Sequence, residues 1–154
     1  MNTQNTSGIR PLSSMVTFRL ARLQSSLNAQ GTALLKSKSG LSLVEWRIMQ
    51  SFRMLENASL TEIADLMQMD KGQLSRKIKS MIEKGLLRAE TDKDDQRVHH
   101  LTLTKKAEKL RSQMLPFMEA RQKHLVEDVS DEELKVFFGV LQKIEAASKF
   151  RDFE

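Results

Sequence analysis

The sequence predicts a mainly α-helical protein with one small β-hairpin, an α+β arrangement, and three observations support this prediction. The chain of 154 residues contains only six glycines and two prolines, the residues that most often interrupt helices. Apolar residues recur at helical spacing along most of the chain. They alternate with polar residues only near residue 101, as in a strand. The length corresponds to one domain or one compact protomer.

Composition excludes several classes of protein. The absence of cysteine excludes disulfides, thiolate metal sites and cysteine nucleophiles. The first 11 residues are polar, and no apolar signal segment follows them. No run approaches the ~20 apolar residues that a membrane helix needs. We therefore expect a cytoplasmic protein that has no membrane segment.

The N-terminal part predicts a flexible arm over residues 1–12 and a first helix within residues 13–40. This helix carries one apolar stripe, which Gln30 and Gly31 interrupt. The stripe consists of Val16, Leu20, Leu23, Leu27 and Leu34. Such a stripe at the end of a small protein needs a cover, which this domain or a second copy can provide.

Two capping boxes of the pattern S-x-x-E mark the starts of the next two helices. They pair Ser42 with Glu45 and Ser59 with Glu62. In such a box each side chain accepts a hydrogen bond from the backbone N–H of the other residue. These helices open a middle block that spans residues 41–104.

A third helix follows after a short turn near Gln68. Asp70 is predicted to cap it, with Gln73 at the reciprocal position, and Gly85 provides a left-handed stop. Its predicted buried stripe consists of Leu74, Ile78, Met81 and Ile82. Two helices joined by a short turn have the layout of a helix-turn-helix.

Beyond Gly85 the pattern changes from helical to strand-like. Residues 86–89 read as a short strand, residues 91–96 as a polar turn, and residues 99–104 alternate between apolar and polar. A β-hairpin that directly follows a helix-turn-helix predicts a winged helix.

The C-terminal part, residues 105–154, predicts two more helices. Thr104 caps a long helix that contains Pro116, and Ser130 with Glu133 forms the capping box of the last helix. Their apolar stripes are far in sequence from the stripe of the first helix. We expect these terminal helices to pack together, most economically against a second copy, as a dimerisation region.

One segment holds the whole basic excess of the chain. Between Lys71 and Arg111 there are 12 Lys/Arg and 6 Asp/Glu, whereas the other residues hold 13 and 14, within a net charge of +5. A local excess of this kind is expected for a protein that binds a polyanion such as DNA. A solvated lysine-rich surface would give the same count, so charge alone does not show whether the segment binds a polyanion.

Four runs, in this order, resemble the MarR (multiple antibiotic resistance regulator) family. The runs are Leu60–Met67, Asp70–Arg76, Ile82–Arg88, and the wing pattern Asp95-Gln96-Arg97 followed by Leu101–Thr104. The resemblance covers essentially the whole chain from about residue 13. The sequence departs from the family pattern at Gln68 and Ala107, where the family often has glycine. Because Gln68 is not glycine, the turn cannot rely on the freedom of glycine at positive φ.

The resemblance implies a homodimer in which the first and the last two helices of each chain interdigitate. It implies binding of double-stranded, pseudo-palindromic promoter DNA, usually as a repressor. Many family members release DNA when a small aromatic or phenolic molecule binds. The absence of cysteine excludes the thiol-based peroxide sensing that part of the family uses.

Within this frame the third helix of the middle block is the recognition helix. Gln73, Ser75 and Arg76 are the candidates that read base edges, since Gln pairs with adenine and Arg with guanine in the major groove. Lys71 and Lys79 are suited to phosphates. For Lys77 and Lys84 a solvated helix face is the favoured interpretation.

The predicted wing contacts are Arg97 and Asp95. An arginine at a hairpin tip can enter the minor groove, where the potential is most negative. Asp95 either aims an arginine by pairing with it or simply caps the turn, and both interpretations stay open.

A possible effector site is predicted around Trp46, with Arg22, Met49 and Met118. Adaptable methionines suit an apolar ligand, although ordinary core filling is the favoured interpretation of the methionines. Arg22 is a candidate partner for an anion, and an aromatic acid is the expected ligand.

The sequence contains no pattern that predicts an enzyme, a metal site or a cofactor. His99 and His100 are adjacent on a predicted strand and face opposite sides. The alternatives to a sequence-specific regulator are an architectural DNA-binding protein of low specificity and a winged-helix adaptor for protein interactions, because fold alone does not fix function.

Overall fold

The computed structural model describes residues 11–55, 59–91 and 99–152. Within them, a 3-10 turn at Leu12–Ser14 precedes six α-helices and one two-stranded sheet, which confirms the predicted fold class. In chain order the elements are α1 (Val16–Lys38), α2 (Leu43–Met54), α3 (Leu60–Met67), α4 (Lys71–Glu83), β1 (Leu87–Thr91), β2 (His99–Leu103), α5 (Lys105–Leu125) and α6 (Asp131–Ala147).

Helix α1 begins later than predicted but runs without a break. The expected first turn is the separate 3-10 turn, and Met15 adopts an extended conformation before the helix starts at Val16. The helix continues through Gly31, which is buried together with Leu35, and α1 packs against α2. The absence of a side chain at Gly31 is compatible with close packing at this point.

The three predicted capping boxes are all present. In the box of α2, Ser42 N donates to Glu45 Oε2 at 2.8 Å and Glu45 N donates to Ser42 Oγ at 3.2 Å. The boxes of α3 and α6 have the same reciprocal bonds. Each box satisfies backbone N–H groups that have no partner within the helix, so these helix starts are fixed by local sequence.

In the turn between α3 and α4, Gln68 itself adopts the left-handed conformation that glycine often provides in the family. Gln68 adopts φ 51° and ψ 43°, the left-handed conformation that closes a helix. Its side-chain Nε2 donates to Asp65 O at 2.9 Å, and Met69 N donates to Ala64 O at 2.9 Å. These bonds offset the steric cost that a side chain has in this region.

Strands β1 and β2 form an antiparallel hairpin whose register pairs Leu87 with Leu103 and Ala89 with Leu101. Gly85 precedes it with φ 68°, as the predicted left-handed stop. Thr104 ties the hairpin to α5, since its Oγ1 donates to Gly85 O at 2.7 Å and accepts from Ala107 N at 3.2 Å. This confirms Thr104 as the cap of α5.

The described residues fall into two compact units, divided between Leu115 and Pro116 inside α5. The first unit contains the buried core. Its apolar members below 2% exposure, by relative accessible surface, are Leu35, Ile48, Met49, Ile63, Leu74, Met81, Leu87, Ala107 and Met114. In the second unit, helix α6 contains no buried residue.

Candidate nucleic-acid interface

Helix α4 has one buried apolar face and one exposed polar face. Leu74, Ile78 and Met81 are buried in the core of the first unit, so they fix the rotation of the helix about its axis. Ile82, predicted to belong to this stripe, is instead 38% exposed near the end of the helix. The predicted DNA-contacting residues of α4 are all exposed: Lys71, Gln73, Ser75, Arg76 and Lys79.

The side chains on the exposed face are free to meet a ligand. Among the residues that the structure describes, none of these five side chains makes a hydrogen bond or ion pair within the chain. Asp70 caps the helix by accepting from Gln73 N at 3.0 Å, but the reciprocal bond from the Gln73 side chain is not formed in this region. The amide of Gln73 therefore stays available.

The first turn of α4 is crowded at Gly72. A Cβ atom at this position would lie 3.1 Å from Asp70 Oδ1 and 3.7 Å from Arg76 Nη1. The absence of a side chain at Gly72 therefore spares the Asp70 cap a close contact. The first turn presents backbone N–H groups at a helix N-terminus, which attracts phosphate.

The C-terminal end of α4 is anchored by an ion pair that the sequence analysis missed. Lys84 Nζ lies 2.5 Å from Oε1 of Glu45, a carboxylate only 1% exposed at the start of α2. Lys106 Nζ also donates to Lys84 O at 2.7 Å. Lys84 is therefore a positioning residue rather than part of a freely solvated face. No local pattern signals this pair, because 39 residues separate its members.

The environment of Glu45 favours its charged form. Burial acts to raise the pKa of Glu45, but hydrogen bonds from Lys84 and Ser42 and the charge of Lys84 outweigh it and hold the pKa below its usual value of 4.5. The same carboxylate therefore caps α2 through Ser42 and holds the end of α4 through Lys84.

The base of the wing is held by side chains on both strands. Arg88 Nε donates to Thr102 Oγ1 at 2.9 Å, and this pair faces across the sheet in register. The predicted wing contacts Asp95 and Arg97 lie outside the described residues.

Residues 41–99 match the family model described as MarR family. These residues form a MarR family domain. The predicted resemblance is thus confirmed for the segment that contains α2, α3, α4 and the hairpin. A search of curated proteins finds no match.

The MarR fold extends over nearly the whole chain. A MarR/EmrR family transcriptional regulator from Acinetobacter sp. ADP1 superposes with a TM-score of 0.84 at 24% identity, covering 91% of this chain and 99% of that one. Bordetella bronchiseptica BpsR superposes with a TM-score of 0.78 at 21% identity, covering 90% and 98%. MepR from S. aureus, solved as a DNA complex, gives 0.78 at 15% identity, covering 86% and 96%.

A cavity of about 620 Å³ lies between α2 and the first turn of α4. Apolar side chains supply much of its wall, with polar groups from α1, α2 and α4. The lining residues are Gln24, Val44, Trp46, Arg47, Gln50, Ser51, Met54, Leu66, Met67, Met69 and Gln73. The cavity therefore reaches from α2 to the first turn of the predicted recognition helix.

Two polar side chains in this wall have unusual surroundings. Gln50 Nε2 is buried and has no hydrogen-bond partner among the residues that the structure describes. Arg47 donates from Nη2 to Asn28 Oδ1 at 3.0 Å, and in the described part of the chain it pairs with no carboxylate. Sequence analysis missed Arg47 and Gln50, since neither belongs to a motif.

Three of the four residues predicted for an effector site lie in the first unit, at different positions. Trp46 lines the cavity described above, whereas Arg22 lines a separate one with Ser13, Phe18 and Arg19. Its guanidinium lies 5.9 Å from the centre of the Phe18 ring. Met49 is fully buried in the core, and Met118 belongs to the second unit. Of the four, Trp46 is placed where a ligand can contact it together with α4.

The described residues contain no group of three or more His, Cys, Asp or Glu side chains that could hold a metal ion. No helix among them is long and apolar enough to span a membrane.

Proposed function

We propose that this protein is a sequence-specific transcriptional regulator, acting as a repressor in the cytoplasm, that binds a pseudo-palindromic DNA site as a homodimer. Helix α4 lies in the major groove, with Gln73, Ser75 and Arg76 at base edges. Lys71 and Lys79 contact phosphates, and Arg97, aimed by Asp95, enters the minor groove from the wing. The protein acts by binding rather than by catalysis.

The observation that carries this proposal is that α4 is amphipathic. Its apolar face is buried, its polar face is exposed, and the polar side chains on that face have no partners among the described residues. A protein-interaction adaptor is expected to expose apolar groups at its docking surface. A basic, hydrogen-bonding face on a helix of groove width favours DNA.

The homodimer is supported by apolar residues that the chain leaves exposed on α6. Val136 is 67% exposed and Phe138 is 59% exposed, next to Phe137 and Val140 on the same helix. Exposed apolar clusters of this kind mark association surfaces. A second copy is the economical partner, because a two-fold dimer presents two copies of α4 to one inverted repeat. The two α4 helices then lie about one DNA turn apart, ~34 Å, or a multiple of it.

Relatives support the same function. MepR is described in complex with DNA, and BpsR is described as regulated in its DNA binding by 6-hydroxynicotinic acid. By analogy we propose that a small aromatic or phenolic effector releases this protein from its site.

Selection of bound DNA from a random pool tests the proposal directly. We expect an inverted repeat whose affinity exceeds that for unrelated DNA by at least about 10³-fold at physiological salt. Binding without a preferred sequence supports the architectural alternative, and no binding at low salt supports the adaptor. A transcription assay on the selected site then separates repression from activation.

Substitutions of DNA-facing residues provide the residue-level test. Arg76→Ala should cost about 1–3 kcal/mol and relax specificity at one base position, whereas Lys79→Ala should weaken all sequences alike and reduce the salt slope by about 1. Arg97→Ala should weaken binding while the dimer stays intact in sedimentation. Unchanged affinity in Arg76→Ala contradicts the assignment of α4, and unchanged affinity in Arg97→Ala contradicts that of the wing.

A further inference from the structure

We infer that the short segment between α4 and β1, residues 84–86, is a rigid joint that fixes the wing relative to α4, and that Lys84 and Glu45 are its positioning residues. This inference rests on the proposed function, because it concerns how two DNA contacts are held together. Neither residue needs to touch DNA. Both act through the backbone of the joint, which decides whether α4 and the wing can enter their grooves at the same time.

The joint is short and continues directly from α4. Only three residues separate the end of α4 from the start of β1. Within them, Gly85 N donates to Ile82 O at 2.9 Å and Leu86 N donates to Met81 O at 2.8 Å. Gly85 turns the chain at φ 68°, and Leu86 is buried. Because no longer loop intervenes, a small rotation within the joint would swing the whole wing.

The start of α5 holds the carbonyl groups of the joint. Lys106 Nζ donates to Lys84 O at 2.7 Å, and Thr104 Oγ1 donates to Gly85 O at 2.7 Å. Thr104 N donates to Leu86 O at 3.1 Å. All three carbonyls of the joint therefore accept a hydrogen bond from the segment that directly follows β2. The hairpin is thus held where it begins and where it ends.

Helix α2 supplies a further support through Glu45. One oxygen of this carboxylate, which is only 1% exposed, lies 2.5 Å from Lys84 Nζ. The other oxygen accepts from Ser42 N at 2.8 Å, so the carboxylate is itself held in place. A charge-assisted bond to a fixed, buried acceptor restricts the long lysine side chain to one position. The joint is therefore anchored to the start of α2 as well as to α5.

The proposed DNA contacts lie on both sides of the joint along the chain. Gln73 and Arg76 precede it on α4, and Arg97 follows it in the wing segment. If the joint is rigid, docking of α4 also delivers the wing, and little further conformational freedom is lost on binding. If the joint is loose, the second contact has a lower effective concentration and adds less affinity. Lys84 and Glu45 therefore set how much the wing contributes.

A double-mutant cycle on affinity for the selected DNA site tests this inference. Arg97→Ala removes the wing contact, and Lys84→Met removes the charge that pairs with Glu45 while keeping an unbranched side chain. Each substitution alone should weaken binding about tenfold. In the Lys84→Met background, Arg97→Ala should cost less than about twofold, because a loosely held wing has little left to lose.

The matched cycle combines Lys84→Met with Arg76→Ala. Arg76 lies on α4 itself, so its loss should cost the same factor in both backgrounds. A merely structural role of Lys84 would change the two cycles alike. Lys84→Arg should restore both DNA affinity and the full cost of Arg97→Ala, since a guanidinium also pairs with a carboxylate.

Glu45→Gln separates positioning from a direct phosphate contact of Lys84. This substitution removes a negative charge and keeps an acceptor for Ser42 N, so electrostatics alone predicts equal or tighter DNA binding. The inference predicts binding severalfold weaker, because Lys84 loses its charged anchor. Thermal melts confirm that each variant is folded at the temperature of the assay. If Lys84→Met does not fold, Glu45→Gln takes its place in both cycles.

Additive costs of Lys84→Met and Arg97→Ala overturn the inference, as does a Glu45→Gln variant that binds DNA as tightly as the wild type. It is also overturned if Arg97→Ala leaves wild-type affinity unchanged, since the joint then has no wing contact to position. These outcomes are distinct from failure of the proposed function. That function fails if the wild type selects no DNA sequence, whereas a selected site with additive cycles removes only the joint.

Discussion

Helices α4 and α6 show opposite solutions to the burial of an apolar face. Helix α4 buries Leu74, Ile78 and Met81 within its own chain and leaves a polar face exposed. Helix α6 has no buried residue and leaves Phe137 and Phe138 exposed, with ring centroids 5.9 Å apart. The surface left over on α4 is suited to a polyanion, and the surface left over on α6 is suited to a protein.

The largest expected effect is on the α4 side of this comparison. Leu74→Ala should reduce the free energy of unfolding by about 3 kcal/mol, because a fully buried leucine leaves a cavity in a close-packed core. The neighbouring exposed Ser75→Ala should stay within about 0.5 kcal/mol of the wild type. Chemical denaturation measures both variants. Equal effects of the two substitutions would show that α4 is not rotated as described.

The next effect concerns α6 and should appear in association rather than in folding. The double substitution Phe137→Ala and Phe138→Ala should raise the dimer dissociation constant about thirtyfold or more, the expectation for aromatic residues at the centre of an interface. Sedimentation across a concentration series measures it. Lys143→Ala on the same helix serves as the control and should leave the constant nearly unchanged. An unaffected dimer in the double variant rules out this face as the contact.

The ion pair between Glu45 and Lys84 predicts a pH dependence of stability. Because the pKa of Glu45 is held below 4.5 in the folded state, its contribution is fully present above that pH and is lost as the pH falls through the lowered value. Glu45→Gln should therefore flatten the acid limb of a plot of unfolding free energy against pH.

Glu62→Gln is the matched control for this measurement. Glu62 also belongs to a capping box, and hydrogen bonds from Ser59 lower its pKa, but it is exposed and no lysine pairs with it among the described contacts. Its substitution should flatten the acid limb less than Glu45→Gln. An equal flattening would assign the effect to the caps rather than to the pair with Lys84.

The smallest effect on stability is expected for Gly72→Ala. This substitution separates the contribution of α4 to stability from its proposed contribution to DNA binding. Alanine there gains helix propensity but crowds the Asp70 cap at 3.1 Å, so the free energy of unfolding should change by less than about 1 kcal/mol. Since the new methyl group stands in the first turn, whose backbone N–H groups are proposed to attract phosphate, affinity for the selected DNA site should fall severalfold. Filter binding and thermal melts measure the two quantities. A loss of stability without a loss of affinity would contradict a functional role for Gly72.

The sequence predicted those elements whose signals are local. The capping boxes at Ser42, Ser59 and Ser130 are satisfied by partners three residues away, so their patterns are readable along the chain. The left-handed stop at Gly85 is readable because glycine adopts positive φ without steric cost. The buried face of α4 was predicted from the helical spacing of its apolar residues. The first turn of α1 was placed less well because Met15 is extended, and no capping side chain marks that start.

What the sequence determined by itself is the order of elements and the polar face of α4, because backbone caps and hydrophobic periods act over a few residues. Only the tertiary structure decided that Glu45 holds Lys84, that Gln68 replaces glycine in the turn, and that Gln50 and Gln73 line one cavity. Those outcomes depend on which distant side chains the packing brings together. No spacing along the chain encodes such distances, since they arise only when α2, α3 and α4 bury their apolar faces against one another.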